Sequence, residues 1–189
     1  MKNMAEQEIY HERQSRMLCA VHALNNIFQD PTAYSKADFD TICYNLSPDS
    51  YINPHKNPVG LGNYDVNVLM TAVSMKGYET VWYDKRMSLD SLCLDNILGF
   101  IINKPSGMNL AGLMLPIKRP HWFAVRKIEA TFYNLDSKLS KPDIIGDKES
   151  DVVQFLAKMI NEESKVEILL VVEQSVSETK SWKKLTNGD

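Results

Sequence analysis

The chain has 189 residues and a net charge of −3, with 44% hydrophobic and 24% charged residues, proportions that suit one globular domain with a sizeable core. No basic face stands out to meet nucleic acid, no apolar run approaches the roughly 18 residues of a membrane span, and the polar Met1–Glu8 segment lacks the apolar centre of a secretion signal. The 3 cysteines, Cys19, Cys43 and Cys93, make no CxxC or Cys/His metal pattern and fit a reducing, intracellular setting.

In chain order, residues 1–8 read as a flexible arm, residues 9–174 as the folded domain, and residues 175–189 as a polar tail carrying Trp182. A helix is predicted from Cys19 to about Gln29: Ala20, Ala23, Leu24 and Ile27 recur on one face, and Pro31 disfavours its continuation. Ser35, with Asp38 in the first turn, caps a second helix through Leu46 whose core positions are Phe39, Ile42, Cys43 and Leu46. Residues 47–62 are rich in Pro and Gly and read as a loop, with His55 as a surface histidine. Asn63 is expected to cap a third helix from Tyr64 to Lys76, with Val66, Leu69, Met70 and Val73 inward and Gly77 as its stop.

Strands follow at Tyr78–Tyr83 and Ile97–Asn103, with a short helical turn between them at Ser88–Leu94 and Cys93 buried in it. Lys104–Pro120, punctuated by Gly and Pro, reads as a loop with at most a short strand. His121–Lys127 and Thr131–Asp136 are close enough to form a hairpin across Glu129-Ala130. A helix beginning at Asp151 places Val152, Phe155, Leu156 and Met159 on one face, and Val166–Val172 is apolar enough for a central strand.

The chemistry concentrates in Gln14 through Asn26. Cys19 stands at a helix N-terminus, where unpaired N–H groups and the dipole favour a thiolate, the nucleophilic form of cysteine. Gln14, slightly upstream, is near enough to return its amide, which with the Cys19 N–H forms an oxyanion hole. A free cysteine also packs well as a small hydrophobe, so this stretch alone leaves both readings open. A thiol nucleophile needs a base. His11 precedes any regular element, His22 is on the polar side of the first helix, and His55 is in a loop. His121 opens a strand and shares a face with Phe123 and Val125. If Glu129 and Ala130 sit at the centre of the turn, Phe123 opposes Asp136, and His121 and Asp136 are diagonal neighbours on one side. A slip of one residue destroys that arrangement. Its plainer alternative is a stabilising His–Asp pair with no catalytic part.

Tyr10-His11-Glu12-Arg13-Gln14, Leu18-Cys19-Ala20-Val21-His22-Ala23-Leu24-Asn25-Asn26, Gly62-Asn63-Tyr64-Asp65-Val66-Asn67-Val68, His121-Trp122 and Tyr133-Asn134-Leu135-Asp136-Ser137-Lys138-Leu139 together resemble the Josephin family of deubiquitinating cysteine proteases. The resemblance spans about Ile9 to Val172, and is greatest to the short members that consist of little else. It implies an α+β, papain-like cysteine protease fold, with helices packed on an antiparallel sheet, and thiol-dependent cleavage at the C-terminal glycine of ubiquitin. By the same resemblance Gln14 is the oxyanion-hole glutamine, Cys19 the nucleophile, His121 the general base and acid, and Asp136 the residue that orients His121. Some members carry asparagine at that last position. Val66 and Asn67 fall where the family contacts ubiquitin, whereas Lys76 departs from a longer relative's aromatic contact. The partners implied are ubiquitin and polyubiquitin conjugates; no metal or organic cofactor is implied. A monomeric, cytoplasmic protein, with the nucleus also open to it, completes the expectation.

Overall fold

A computed structural model of the chain describes residues 9–15, 17–57, 62–110 and 113–184. The predicted arm at 1–8 and the end of the tail at 185–189 lie outside the described residues.

Three helices come first: α1 (Cys19–Phe28), α2 (Lys36–Leu46) and α3 (Val66–Met75). The α1 helix ends as Gln29 turns left-handed at φ 55°, its N–H returning to the carbonyls of Asn25 and Asn26. At the start of α2 the Ser35 side chain accepts the Asp38 N–H, and the Asp38 carboxylate accepts the Ser35 N–H at 2.7 Å, a reciprocal cap. Phe39, Ile42 and Cys43 are buried as expected, whereas Leu46 is exposed. The cap of α3 is Asp65 rather than Asn63; its carboxylate accepts the N–H groups of Asn67 and Val68. Asn63 instead takes a left-handed φ of 60°, and Tyr64 is committed to the core, its ring 4.9 Å from that of Phe39. The inward face of α3 is accordingly Val68, Leu69, Ala72 and Val73, with Val66 and Met70 only half-buried.

His55 is not a free surface group. Nδ1 lies 2.8 Å from Asp65 Oδ2 and Nε2 3.1 Å from Ser47 Oγ, clasping the loop after α2 to the cap of α3. His22 departs from its expected polar setting as well, being buried inside α1's packing. A helix enclosed nearly all round buries its polar positions too, and those must then find partners.

Among the described residues six strands form one antiparallel sheet: β1 (Tyr78–Trp82), β2 (Gly99–Leu110), β3 (Leu113–Ile128), β4 (Thr131–Leu135), β5 (Asp143–Gly146) and β6 (Glu167–Glu173), in the order β1-β6-β2-β3-β4-β5. The expected turn between β1 and β2 is there as short 3-10 segments, Leu89–Ser91 and Leu94–Asn96; Cys93 beside them is half-buried rather than buried. Strand alternation divides the core. Ile101, Trp122, Ala124, Leu135, Leu169 and Val171 pack under α1–α3. Phe100, Ile102, Phe123, Val125, Ile168 and Leu170 face the other way, where Val152 and Leu156 of α4 (Glu149–Glu162) cover them. The fold is therefore α+β, with helices packed on both faces of an antiparallel sheet.

The largest difference from expectation is at 104–120. Its described residues are not a loop: 104–110 and 113–120 extend β2 and β3 as paired strands, with an irregularity between Gly107 and Met108. Pro105 pairs with Pro120 there. Facing prolines occupy a non-hydrogen-bonded pair, so their missing N–H groups point outward. β6 has already stopped pairing at Asn103 and β4 at Ala124, so no neighbouring strand needs those donors. The short strand β5 was not foreseen either; it adds to the edge beside β4. The described part of the C-terminal segment folds back. It forms α5 (Gln174–Thr179), packs Trp182 on the second core, and accepts the Cys93 N–H at the Trp182 carbonyl at 2.8 Å.

Candidate active site

The β3–β4 hairpin has the register inferred from its turn. Ala124 faces Leu135 and Ile128 faces Thr131, and Glu129 takes the positive φ of 53° that the first turn residue of a primed hairpin turn needs. His121 thus belongs to the row of Phe123, on whose ring it stacks at 6.1 Å between centroids. Asp136, one residue beyond β4, lies in the same row, and its Oδ1 is 2.6 Å from His121 Nε2. Asp136 is held in turn by the Asn134 side chain, which accepts its N–H at 3.1 Å, and by the Lys138 N–H, which donates to Oδ1 at 2.9 Å. Both members of the pair are buried, 2% and 5% exposed. Engaging Nε2 leaves Nδ1 as the ring nitrogen for proton transfer.

Burial alone would raise the Asp136 carboxyl. The hydrogen bond and charge of His121, the Lys138 N–H and the Lys104 ammonium outweigh it and hold the group below the usual carboxylate range. Lys104, paired with His121 across β2 and β3, brings Nζ within 3.8 Å of Asp136 Oδ2. Neither lysine was anticipated. Lys104 was hidden by reading its segment as a loop, although register alone would have placed it opposite His121. Lys138 also ties its ammonium to Ser106 Oγ on β2.

Cys19 is the first residue of α1 and is 6% exposed. It packs on the sheet face of Trp122, and the backbone N–H groups of Trp122 and Ala20 are oriented to favour a charged sulfur. Those donors and Lys138 favour the thiolate, but burial outweighs them and pushes the thiol up. The helix terminus therefore does not lower the Cys19 pKa as its position suggested, because the sulfur is withdrawn from solvent. The chain before it is fixed by a neighbouring loop. Gly62 forms a bridge with Met17, and the Asn63 N–H donates to the Met17 carbonyl at 2.8 Å. Gln14 is joined to the His–Asp side of the site through its N–H, which donates to the Ser137 carbonyl at 2.6 Å; its side chain is exposed.

Of the expected ubiquitin contacts, Asn67 is exposed at the start of α3 and bonds back to Asp65, while Val66 packs partly against the first core. Lys76 lies over the Tyr34 ring at 5.4 Å. Cys43 is fully buried, away from this constellation. Among the described residues no group of three or more His, Cys, Asp or Glu side chains could hold a metal ion, and no helix is long and apolar enough to cross a membrane.

Comparison with known proteins bears on the same residues, since the Josephin family profile matches residues 14–172. The chain belongs to the Josephin family. It is 48% identical to Josephin-2 of Homo sapiens over 174 residues, covering 92% of this chain and 91% of that protein. A Josephin-like protein of Drosophila melanogaster is 44% identical over 167 residues, 88% of this chain and 74% of its own length. Ataxin-3 of Homo sapiens is 25% identical over 177 residues, which cover 82% of this chain and 44% of that one. Membership of the Josephin family supports a ubiquitin-protease role.

Proposed function

We propose that this Josephin chain is a cysteine-type deubiquitinase that hydrolyses the bond joining the C-terminal glycine of ubiquitin to an amine. The reading is carried by the 2.6 Å pairing of His121 and Asp136 on a strand whose next residue, Trp122, shares one core with Cys19. In the proposed reaction Nδ1 of His121 takes the Cys19 proton, and the sulfur attacks the glycine carbonyl carbon. Asp136 holds the imidazole through Nε2 and stabilises the imidazolium that forms. The Gln14 amide and the Cys19 N–H receive the oxyanion. His121 returns its proton to the leaving amine as the C–N bond breaks. Water, deprotonated by His121, then attacks the thioester and releases the ubiquitin carboxylate and the thiol. Val66 and Asn67 are proposed contacts for ubiquitin, and a monomeric intracellular protein is the proposed setting.

Burial of Cys19 favours a second reading, a ubiquitin-binding module of weak catalysis. A ubiquitin carrying an electrophile at its C-terminus separates the two. Covalent capture at Cys19, abolished by Cys19→Ala, supports the hydrolase; stable binding without capture supports the module. Capture of another ubiquitin-like protein in preference to ubiquitin would move the substrate assignment.

A further inference from the structure

We infer that Glu12 and His22 form a clamp that positions Gln14 for the oxyanion, and so act as positioning residues for the proposed hydrolysis, an inference that rests on that reading. His22 projects from α1 with only 2% exposure. Its Nδ1 lies 2.7 Å from Glu12 Oε1, and its Nε2 lies 3.2 Å from the Ser15 N–H. One imidazole therefore grips the chain on both sides of Gln14. Nε2 accepts the Ser15 N–H, while Nδ1 stands against the Glu12 carboxylate at ion-pair distance without the alignment of a hydrogen bond.

The grip extends to the rest of the site. Glu12 also accepts from Asn25 Nδ2 at 2.8 Å and from the Tyr10 hydroxyl at 3.0 Å. The Glu12 N–H donates to Asn26 Oδ1 at 2.6 Å, and Asn26 Nδ2 donates to the Leu135 carbonyl at 2.9 Å. Leu135 immediately precedes Asp136, and Ser137, which anchors the Gln14 N–H, immediately follows it. The segment bearing Gln14, the helix bearing Cys19 and the turn bearing Asp136 are thus joined by polar contacts with fixed directions. A carboxylate–imidazole pair with one member buried and the other half-buried is a poor source of stability, because its desolvation offsets its attraction. What it supplies is register, and hydrolysis is sensitive to register: a misplacement of about 1 Å can cost on the order of 100-fold in rate.

The test uses the full chain with two ubiquitin derivatives. One is a C-terminal fluorogenic amide, whose hydrolysis passes through an oxyanion. The other carries a propargyl amine in place of the terminal glycine; the thiol adds across its triple bond, sulfur to one carbon and the proton to the other, giving a vinyl thioether without a tetrahedral oxyanion. Gln14→Ala is expected to lower kcat on the amide by roughly 100- to 1,000-fold. His22→Gln preserves an acceptor for Ser15 but removes the imidazole that stands against Glu12, and Glu12→Gln puts an amide donor against Asn25. Each is expected to lower kcat roughly 10- to 100-fold with little change in KM, while alkyne capture continues near the wild-type rate. Combined with Gln14→Ala, neither should lower kcat further, because both act through the same amide. A raised KM with kcat intact, a multiplicative loss with Gln14→Ala, or capture falling in step with turnover each overturns the clamp. The last outcome includes a variant that fails to fold. If the wild-type protein never captures the alkyne, the hydrolase reading itself fails; capture with undiminished turnover in the variants removes only the clamp.

Discussion

His121 and Asp136 meet because Ala124 faces Leu135: one register, set by the two-residue turn at Glu129-Ala130, brings Nε2 and Oδ1 to 2.6 Å. The imidazole and carboxylate act as one unit in the proposed reaction. His121→Ala should therefore lower kcat/KM on a ubiquitin C-terminal reporter by about 100-fold or more, the usual worth of a general base. Asp136→Ala should cost no more than that, and the double variant should be hardly worse than His121→Ala. Asp136→Asn keeps an oxygen for the Nε2 proton but withdraws the charge that stabilises the imidazolium, so partial activity is expected. Independent, multiplicative losses in this cycle would refute the coupling.

The Asp136 carboxyl also links stability to pH. Its folded-state pKa is depressed, chiefly by His121 against the opposing effect of burial. A depressed carboxyl stabilises the fold above its unfolded value, about 3.9, and that contribution is lost as pH falls through the folded value. Glu12 behaves alike: burial raises it, but the adjacent His22 and the hydrogen bond from Asn25 bring it below its ordinary value. The melting temperature should therefore fall as the solution is acidified below about pH 4, and less steeply in Asp136→Asn. Equal slopes for the two proteins would show that this carboxylate carries no linked stability.

What could be read from the sequence follows the range of the interactions involved. The helices near Cys19 and Ser35 are specified by local spacing and caps, and the β3–β4 register by a turn too short to permit another. Cys19 and His121 stood out because reactive side chains sat on strongly patterned elements. The extension of β2 and β3 was not legible, because Pro105 and Pro120 look like loop residues until it is known that both neighbouring strands stop short of them. Without that strand Lys104 had no place beside Asp136. The state of Cys19 was hidden for a related reason: helix position is local, but burial by Trp122 and the rest of the core is tertiary. His22 and His55 were likewise assigned to water by sequence position, whereas each is held by a carboxylate brought to it by folding.

The three cysteines should separate by environment. At neutral pH iodoacetamide should modify half-buried Cys93 before Cys19, whose sulfur is enclosed and whose thiol is pushed up by burial. Cys43, fully enclosed, should resist as long as the protein is folded. Cys43→Ala is expected to lower stability by about 1 kcal/mol, the common size of a core truncation, and to leave turnover per folded molecule unchanged. Peptide mapping after alkylation gives the order, and rapid labelling of Cys19 ahead of Cys93 would contradict the burial described.

Gly62 offers the sharpest steric prediction. At φ +103° its backbone occupies a region that residues with a side chain rarely enter, and a Cβ there would stand 2.3 Å from the Met17 carbonyl oxygen and 3.0 Å from a Leu18 methyl. The obstacle is main chain, so it cannot rotate away. Gly62→Ala must either move Met17 and Leu18, which lead directly into Cys19, or break the Met17 bridge that closes the loop over them. A strained residue of this kind costs about 1–3 kcal/mol, and the displacement is transmitted along two peptide units to the proposed nucleophile. Melting temperature and alkyne capture should therefore both fall. Gly77→Ala serves as the control: it shares a positive φ of 79°, but a Cβ there meets nothing within 4 Å. It should lose stability through backbone strain alone and capture the alkyne at the wild-type rate when folded. Equal loss of capture in the two variants would mean that strain, rather than the Met17 contact, governs access to Cys19.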